Sequence, residues 1–197
     1  MIPVLNLTLM LCQNDNSTRR TMNERLEQYL KNNYPEIIPE NFYFECGSGW
    51  FLILNAAFRE MKKIKSRKRF ENAPYPRVAQ IKEKFGSMRF YCDPLDGGEE
   101  YYDQIYAVVD MAETLSTRTC ESCGRAALLR ESRGWSKCLC NWCFTEGRAT
   151  FNQEWINGCL EMIEEEKVQK REYQDWMDDS QDALDKLSEL DQELGLE

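Results

Sequence analysis

The chain has 197 residues, of which 42% are hydrophobic and 12% aromatic, a composition that suits one globular domain with or without an appendage. It contains no histidine, which excludes Ser-His-Asp and Cys-His hydrolases, HExxH metalloproteases and nucleases with a histidine base. The formal net charge is −9, and all of it belongs to residues 172–197, where ten acidic residues accompany one base, Lys186.

The N-terminus predicts a strand. Residues 1–12 are apolar apart from Asn6 and Thr8, and they have neither the basic start nor the small-residue cleavage site of a signal peptide. No stretch reaches the roughly 20 apolar residues that cross a bilayer. The nine cysteines include five scattered ones, which favours a reducing compartment over a disulfide framework. We therefore expect a cytoplasmic protein that does not enter a membrane.

Residues 1–118 are expected to form a mixed α+β body. Apolar residues at helical spacing predict helices over residues 22–33, 50–64 and 99–115. The first is expected to begin with a capping box at Thr21. In the third, the residues expected to face inward are Tyr102, Ile105, Tyr106, Val109 and Met111.

Two segments of the body predict strands. Residues 41–46 alternate aromatic and polar side chains and indicate a short strand. Residues 77–92 predict a β-hairpin that turns at Gly86 and Ser87, with Met88, Phe90 and Cys92 on one face.

Residues 59–69, here called the basic segment, contain seven bases and one acid, Glu60. One interpretation is the solvated face of the second helix, and the other is a patch that binds phosphates or an acidic partner. The candidate partner-binding residues in it are Lys62, Lys63, Lys65, Arg67, Lys68 and Arg69.

Residues 119–148 predict a zinc module. Cys120 and Cys123 form one CxxC pair and Cys140 and Cys143 a second, with 16 residues between the pairs, which is the spacing of a tetrahedral zinc site. Glycine directly after Cys123 predicts a tight turn, and a small hairpin with its bend at Gly134 is expected to follow. A turn, a hairpin and a CxxC pair at a helix start form a treble-clef-like order. The one rival ligand is Cys138.

The C-terminal segment predicts a long helix. Residues 149–171 carry a wide apolar stripe and are expected to pack on the body, whereas residues 172–197 form an acidic tail with a narrow apolar seam. The tail could be a self-associating coiled coil, a helix that docks on a partner, or a frayed end. Repulsion between its like charges argues against self-association. The oligomeric state is therefore left open. Its candidate partner-binding residues are Trp176, Asp178, Asp179, Asp182 and Asp185.

Three sequence motifs taken together resemble those of a known group of proteins. Gly49-Trp50-Phe51 after residues 45–47, IKEKFGSMRFY at residues 81–91, and CESCG at residues 120–124 followed by a second CxxC pair resemble small zinc-binding accessory proteins of bacteriophages and prophages. The resemblance covers residues 45–143 and excludes the acidic tail. It implies a phage accessory protein acting in the bacterial cytoplasm, without implying any particular activity.

Three functions follow as hypotheses. The first is a non-catalytic protein, stabilised by structural zinc, that binds and inhibits a bacterial host or defence protein, with the acidic helix imitating nucleic acid. The second is a nucleic-acid-binding zinc module that uses the basic segment. One basic face would then combine this segment with the bases of the zinc hairpin, which are Arg125, Arg130, Arg133 and Lys137. The third, an enzyme, is the least favoured because no histidine is available and no spacing singles out a pair among its carboxylates, Glu83, Asp93, Asp96, Glu99 and Glu100.

Overall fold

The computed structural model describes residues 22–93, 96–132, 134–145 and 153–194. The strand predicted at residues 1–12 and the cap predicted at Thr21 lie outside the described residues. The chain divides into two compact units, residues 1–147 and residues 148–197.

The first helix, α1 (Glu24–Asn33), begins at Asn23, whose side-chain oxygen accepts a hydrogen bond from the Arg25 backbone N–H at 3.0 Å. This is an N-cap, which satisfies one of the amides that an α-helix leaves without an internal partner. Leu26 and Leu30 lie one turn apart and are both buried. The predicted helix is confirmed, and it starts two residues later than expected.

A single 3₁₀ turn, Ser48–Trp50, leads directly into α2 (Phe51–Lys65). Its buried residues follow the 3 and 4 spacing of an amphipathic helix, and Trp50 at its start is fully buried. Trp50 is therefore a core anchor, as predicted. The buried apolar residues of α2 are Phe51, Leu54, Ala57, Phe58, Met61 and Ile64.

The predicted hairpin exists as β1 (Val78–Lys84) and β2 (Ser87–Cys92), paired antiparallel. Its turn residues are Phe85 and Gly86, with φ of 53° and 76°, so the turn lies one residue before its predicted place. Two successive positive φ values suit the right-handed twist of a two-residue hairpin. Met88 and Phe90 are buried as predicted. Residues 41–46 form no strand, and pair with β1 through one parallel bridge, Glu45 to Lys82.

The third helix, α3 (Glu99–Ser116), packs against α2 and β2. The prediction that Tyr102 and Met111 face inward is wrong, since each is 44% exposed. The buried face is set instead by Tyr101, which packs on Phe70 with ring centroids 5.1 Å apart and donates its hydroxyl to the Pro74 carbonyl oxygen. The other buried residues are Ile105, Val108, Val109, Ala112 and Ser116.

A second hairpin, β3 (Leu128–Ser132) and β4 (Trp135–Leu139), is followed by the short helix α4 (Asn141–Thr145). Gly134 lies in its turn with φ of 83°, as the predicted bend requires. Together the elements confirm the predicted α+β class with two small antiparallel sheets.

The second unit contains one helix, α5 (Gln153–Leu194), which runs for 42 residues without interruption. None of the helices in the described ranges combines the length and apolar character that crossing a bilayer requires.

Candidate metal centre

The first CxxC pair lies on a tight backbone turn. The Gly124 N–H donates to the Cys120 carbonyl oxygen at 2.9 Å, and the Cys120 N–H donates to the Arg125 carbonyl oxygen at 2.8 Å. Gly124 has φ of 72°, a conformation that side chains with a Cβ rarely adopt. The glycine after Cys123 therefore allows the chain to reverse and turns both thiols to the same side.

The second pair lies at the start of α4. Cys140 immediately precedes the helix, its carbonyl oxygen accepts the Phe144 N–H at 3.0 Å, and the Cys143 N–H donates to the Cys140 Sγ at 3.4 Å. A backbone amide that points at sulfur favours the thiolate over the thiol. The local helical turn thus prepares Cys140 to be a ligand.

The structure brings all four predicted cysteines together. Their Sγ atoms lie within 4.8 Å of one another, and all four side chains are buried. The Sγ atoms of Cys123 and Cys140 are 3.6 Å apart. A tetrahedral site with metal–sulfur bonds of about 2.3 Å has sulfur–sulfur edges of about 3.8 Å. The four residues can therefore hold one metal ion, and within the described ranges they are the only group of three or more such ligands.

The electrostatics of the group favour a bound cation. Burial raises the pKa of Cys120 and of Cys143, so the metal-free protein keeps these thiols protonated. At Cys140 burial opposes ionisation, but hydrogen bonds from the Cys143 N–H and the neighbouring thiols lower its pKa to about 7. The Arg125 Nε donates to the Cys123 Sγ at 3.4 Å, which places a positive charge beside the group. A divalent metal supplies the remaining charge that four buried thiolates need.

Cys138, the rival ligand, is not a member of this group. It lies fully buried on β4 beside Leu129 of β3, and burial raises its pKa to about 11. Its sulfur is thus a buried thiol of the hairpin, and the four cysteines of the CxxC pairs remain the candidate ligands.

A buried cluster of charges, which the sequence did not predict, joins the metal centre to the first hairpin. Lys137 of β4 is 6% exposed, and its Nζ donates to Glu121 Oε2 at 2.8 Å and to Glu83 Oε2. Glu121 lies inside the first CxxC pair and Glu83 lies on β1. We call these three residues the acid–lysine joint.

The remaining oxygens of the joint are also satisfied. Glu121 Oε1 accepts the Gly47 N–H at 3.1 Å, and Glu83 Oε1 accepts the Gly86 N–H at 2.8 Å. Charged groups are stable when buried only if they are paired and hydrogen-bonded. Because the joint meets both conditions, it fixes the position of the metal centre on the body.

The segment before α2 lies directly against the first CxxC turn. The Gly49 N–H donates to the Glu121 carbonyl oxygen at 2.8 Å, and the Trp50 Nε1–H donates to the Thr119 carbonyl oxygen at 3.0 Å. A Cβ on Gly49 would lie 2.1 Å from the Cys120 carbonyl oxygen. Glycine is required here because the two backbones touch.

The candidate partner residues of the basic segment are largely engaged by acids of the same unit. Lys65 donates to the Glu71 carbonyl oxygen at 3.0 Å, and Lys68 is exposed. The four ion pairs are Lys62–Glu36 at 3.3 Å, Lys63–Glu60 at 3.5 Å, Arg67–Glu60 at 3.8 Å and Arg69–Glu100 at 2.8 Å. Nearby acids thus reduce the positive field that the sequence alone suggested.

All five candidate residues of the acidic tail lie on α5. Asp178 is exposed and accepts a hydrogen bond from Gln174 at 2.7 Å. The side chains of Trp176, Asp179, Asp182 and Asp185 lie outside the described part of the structure.

The carboxylates of the enzyme hypothesis are not gathered into one site. Glu83 belongs to the acid–lysine joint and Glu100 pairs with Arg69. Asp93, Asp96 and Glu99 are exposed. In the described ranges, no group of three carboxylates approaches closely enough to share a metal ion.

Beside the metal centre lies an open groove of about 850 Å³, lined by residues that include Arg125, Leu128, Arg130, Cys140 and Trp142. Leu128 is 52% exposed and Trp142 57% exposed. We call this surface the zinc-module face. Of the four bases expected on one face of the zinc hairpin, Arg125 and Arg130 lie here, Lys137 is instead buried in the acid–lysine joint, and Arg133 lies outside the described residues.

Arg130 is held in place on this face. Its Nε donates to the Leu139 carbonyl oxygen at 3.4 Å, its Nη2 donates to the Asn141 side chain, and its guanidinium lies 5.2 Å from the centre of the Phe144 ring. Comparison of the chain with protein families, characterised proteins and solved structures found no match.

Proposed function

We propose that this is a non-catalytic binding protein, held together by one structural zinc ion, whose zinc-module face docks on a protein partner. The observation that carries the proposal is the metal centre itself. It has four buried protein ligands and so leaves no coordination position for a substrate, which is the arrangement of structural rather than catalytic zinc.

Zinc is the metal that the donor set favours. Four thiolates in tetrahedral spacing select zinc or iron–sulfur chemistry. The order of a CxxC turn, a hairpin and a short helix favours zinc. The metal would contribute folding free energy, because the ligands come from two segments that the unfolded chain does not hold together.

The zinc-module face supports the choice of a protein partner. Exposed tryptophan and arginine are enriched at protein interfaces, and anchors that are already ordered lose little conformational entropy on binding. Trp142 is exposed and Arg130 is fixed by three contacts. The two guanidinium groups of Arg125 and Arg130 are balanced by the charge of a four-thiolate zinc site, so the face has no strong field for a polyanion.

The resemblance to phage accessory proteins suggests that the partner is a protein of the bacterial host or of its defence, and that binding inhibits it. Inhibition by the acidic tail, through imitation of nucleic acid, belongs to the same proposal. The tail and the zinc-module face are on separate units and can be tested separately.

The test is capture of a partner from bacterial lysate by the tagged protein, followed by a dissociation constant measured on purified components. Trp142→Ala and Arg130→Ala are expected to weaken binding by about tenfold or more each. The matched control is Tyr102→Ala, which removes an aromatic ring of comparable exposure on α3. Equal binding by all three variants and the native protein would contradict docking through this face.

A nucleic-acid-binding module is the second candidate, and it is supported by the exposed Lys68 and by the surplus of bases in the basic segment. If it is correct, a chain truncated after Lys170 binds DNA or RNA in a salt-sensitive manner, because the acidic competitor is gone. Substitution of Lys68 and Arg69 by alanine then weakens that binding. A truncated chain that binds neither nucleic acid removes this candidate.

A further inference from the structure

The continuity of α5 allows its sequence to be placed on a single helical register. From Tyr173 to Leu194 the helix is unbroken, and stepping alternately by four and three residues reaches seven positions, five of them apolar. The seam positions reached in this way are Tyr173, Met177, Ser180, Leu184, Leu187, Asp191 and Leu194. A repeat of 3.5 residues on average keeps one stripe facing a partner helix and is the signature of a coiled coil.

The acidic residues occupy the opposite side of this register. Of the nine acids in residues 172–194, eight fall at the three outward positions of the heptad, and Asp191 alone falls in the seam. The positions that flank the seam are uncharged: Gln174, Trp176, Gln181, Ala183, Ser188 and Leu190. The acids whose mutual repulsion argued against self-association are therefore assigned, all but Asp191, to positions away from the seam.

The exposure of the two seam residues whose side chains are described agrees with this register. Tyr173 is 62% exposed and Met177 is 42% exposed in the single chain. The seam runs for three heptads, or about 33 Å at 1.5 Å per residue. Apolar groups repeated along one line of a helix are stabilised when a second helix covers them.

We propose that α5 self-associates through this seam, so that the protein is a homodimer whose second copy supplies the covering helix. The uncharged flanks favour a second copy over a different protein. Charges at the flanking positions are what lets a coiled coil select a foreign partner and reject itself, and this helix has none there. Two identical copies meet along uncharged faces while their acids remain in water.

The test measures association of the full-length chain by sedimentation and light scattering over a dilution series from about 1 to about 200 µM. Leu187→Asp is expected to raise the dissociation constant by more than about tenfold, because it places a charge in the seam of both copies. Its control is Lys186→Asp, a larger change of charge at the neighbouring outward position, which is expected to change association much less.

A second pair of variants tests a gain of association. Asp191→Leu is expected to lower the dissociation constant by about tenfold, since it removes the one acid of the seam, whereas Glu193→Leu at an outward position leaves it nearly unchanged. Bound zinc and circular dichroism report that each variant is folded. A native chain and an Asp191→Leu chain that both remain monomeric at the highest concentration, or control variants that act as strongly as the seam variants, overturn the proposal.

Discussion

Cys138 and Cys140 are separated by one residue at the end of β4, yet only Cys140 joins the four-cysteine group. Side chains two positions apart on a strand face the same way, so alternation alone would not separate them. They differ because Cys138 lies within β4, whereas Cys140 lies beyond its end and begins the turn of α4. The CxxC spacing therefore predicted the four cysteines that the structure brings together, and the end of β4 at Leu139 explains why the nearby thiol is not among them.

At this site we expect Cys123→Ala to reduce bound metal from one zinc ion per chain to almost none, since three thiolates hold zinc far less tightly than four. Cys138→Ala removes a buried thiol of equal size and is expected to keep one zinc ion per chain. Elemental analysis of protein purified without added metal measures both. Loss of zinc in Cys138→Ala with retention in Cys123→Ala would reverse the ligand assignment.

Lys137 presents a different residue-scale expectation, because it neutralises the buried carboxylate of Glu121 and the partly buried one of Glu83. Lys137→Met keeps the length of the side chain and removes the charge, which leaves Glu83 and Glu121 facing each other. We expect a loss of about 3 kcal/mol in the free energy of unfolding. Lys62→Met is the matched control, since its pair with Glu36 is exposed and worth less than about 1 kcal/mol. Urea titration of both variants measures the difference.

The hairpins and helices could be predicted from local sequence patterns. The predictions failed at one turn, for a local reason, and on one helix face, where packing against a distant segment decides which residues are buried. The turn of the first hairpin shifted because Phe85 itself adopts a positive φ, which sequence preference does not favour. The face of α3 was predicted in part, since Ile105 and Val109 are buried as expected whereas Tyr102 and Met111 are exposed. Tyr101 is buried only because α3 packs against the segment that contains Phe70 and Pro74.

The acid–lysine joint had no comparable signal. Gly47 and Glu121 are 74 positions apart in the chain, and Lys137 and Glu83 are 54 apart. Neither periodicity nor motif spacing reports a pairing at such separation. In addition, a sequence pattern treats charged residues as exposed, so the burial of Glu121 and Lys137 runs against its main rule. The exposure of Trp142 was missed for a related reason, since it depends on the packing of a whole module.

The contact between the segment before α2 and the first CxxC turn leads to an expectation about glycine. Gly49→Ala would place a Cβ 2.1 Å from one backbone oxygen and 2.6 Å from the Gly124 nitrogen, and neither backbone atom can move aside cheaply. We expect a lower melting temperature and weaker zinc binding together. Gly158→Ala on α5 meets nothing within 4 Å and is expected to be stabilising by up to about 1 kcal/mol. Calorimetry with and without a competing chelator separates the two effects.

Across the whole first unit, the metal centre and the body share one set of contacts. In the CxxC turn, the Glu121 carboxylate accepts from Gly47 and Lys137, and the Thr119 carbonyl oxygen accepts from Trp50. At the tip of the first hairpin, the Glu83 carboxylate accepts from Gly86 and Lys137. Lys137 therefore links the CxxC turn to the hairpin. Most of the residues in these contacts lie in three segments, residues 45–51, 81–91 and 120–124. These three segments thus form the junction between the body and the zinc module. A metal ion that orders the module is therefore expected to order this junction as well.

Removal of zinc by a chelator is therefore expected to loosen more than the module. Amide hydrogen exchange should become at least about tenfold faster in residues 45–51 and 83–88, which contact the CxxC turn and β4, as well as in residues 119–145. Residues 24–33 of α1, which make none of these contacts, serve as the internal control and are expected to keep their protection. If acceleration stops at the boundaries of the module, the joint does not transmit metal binding to the body, and zinc stabilises only the segment that holds it.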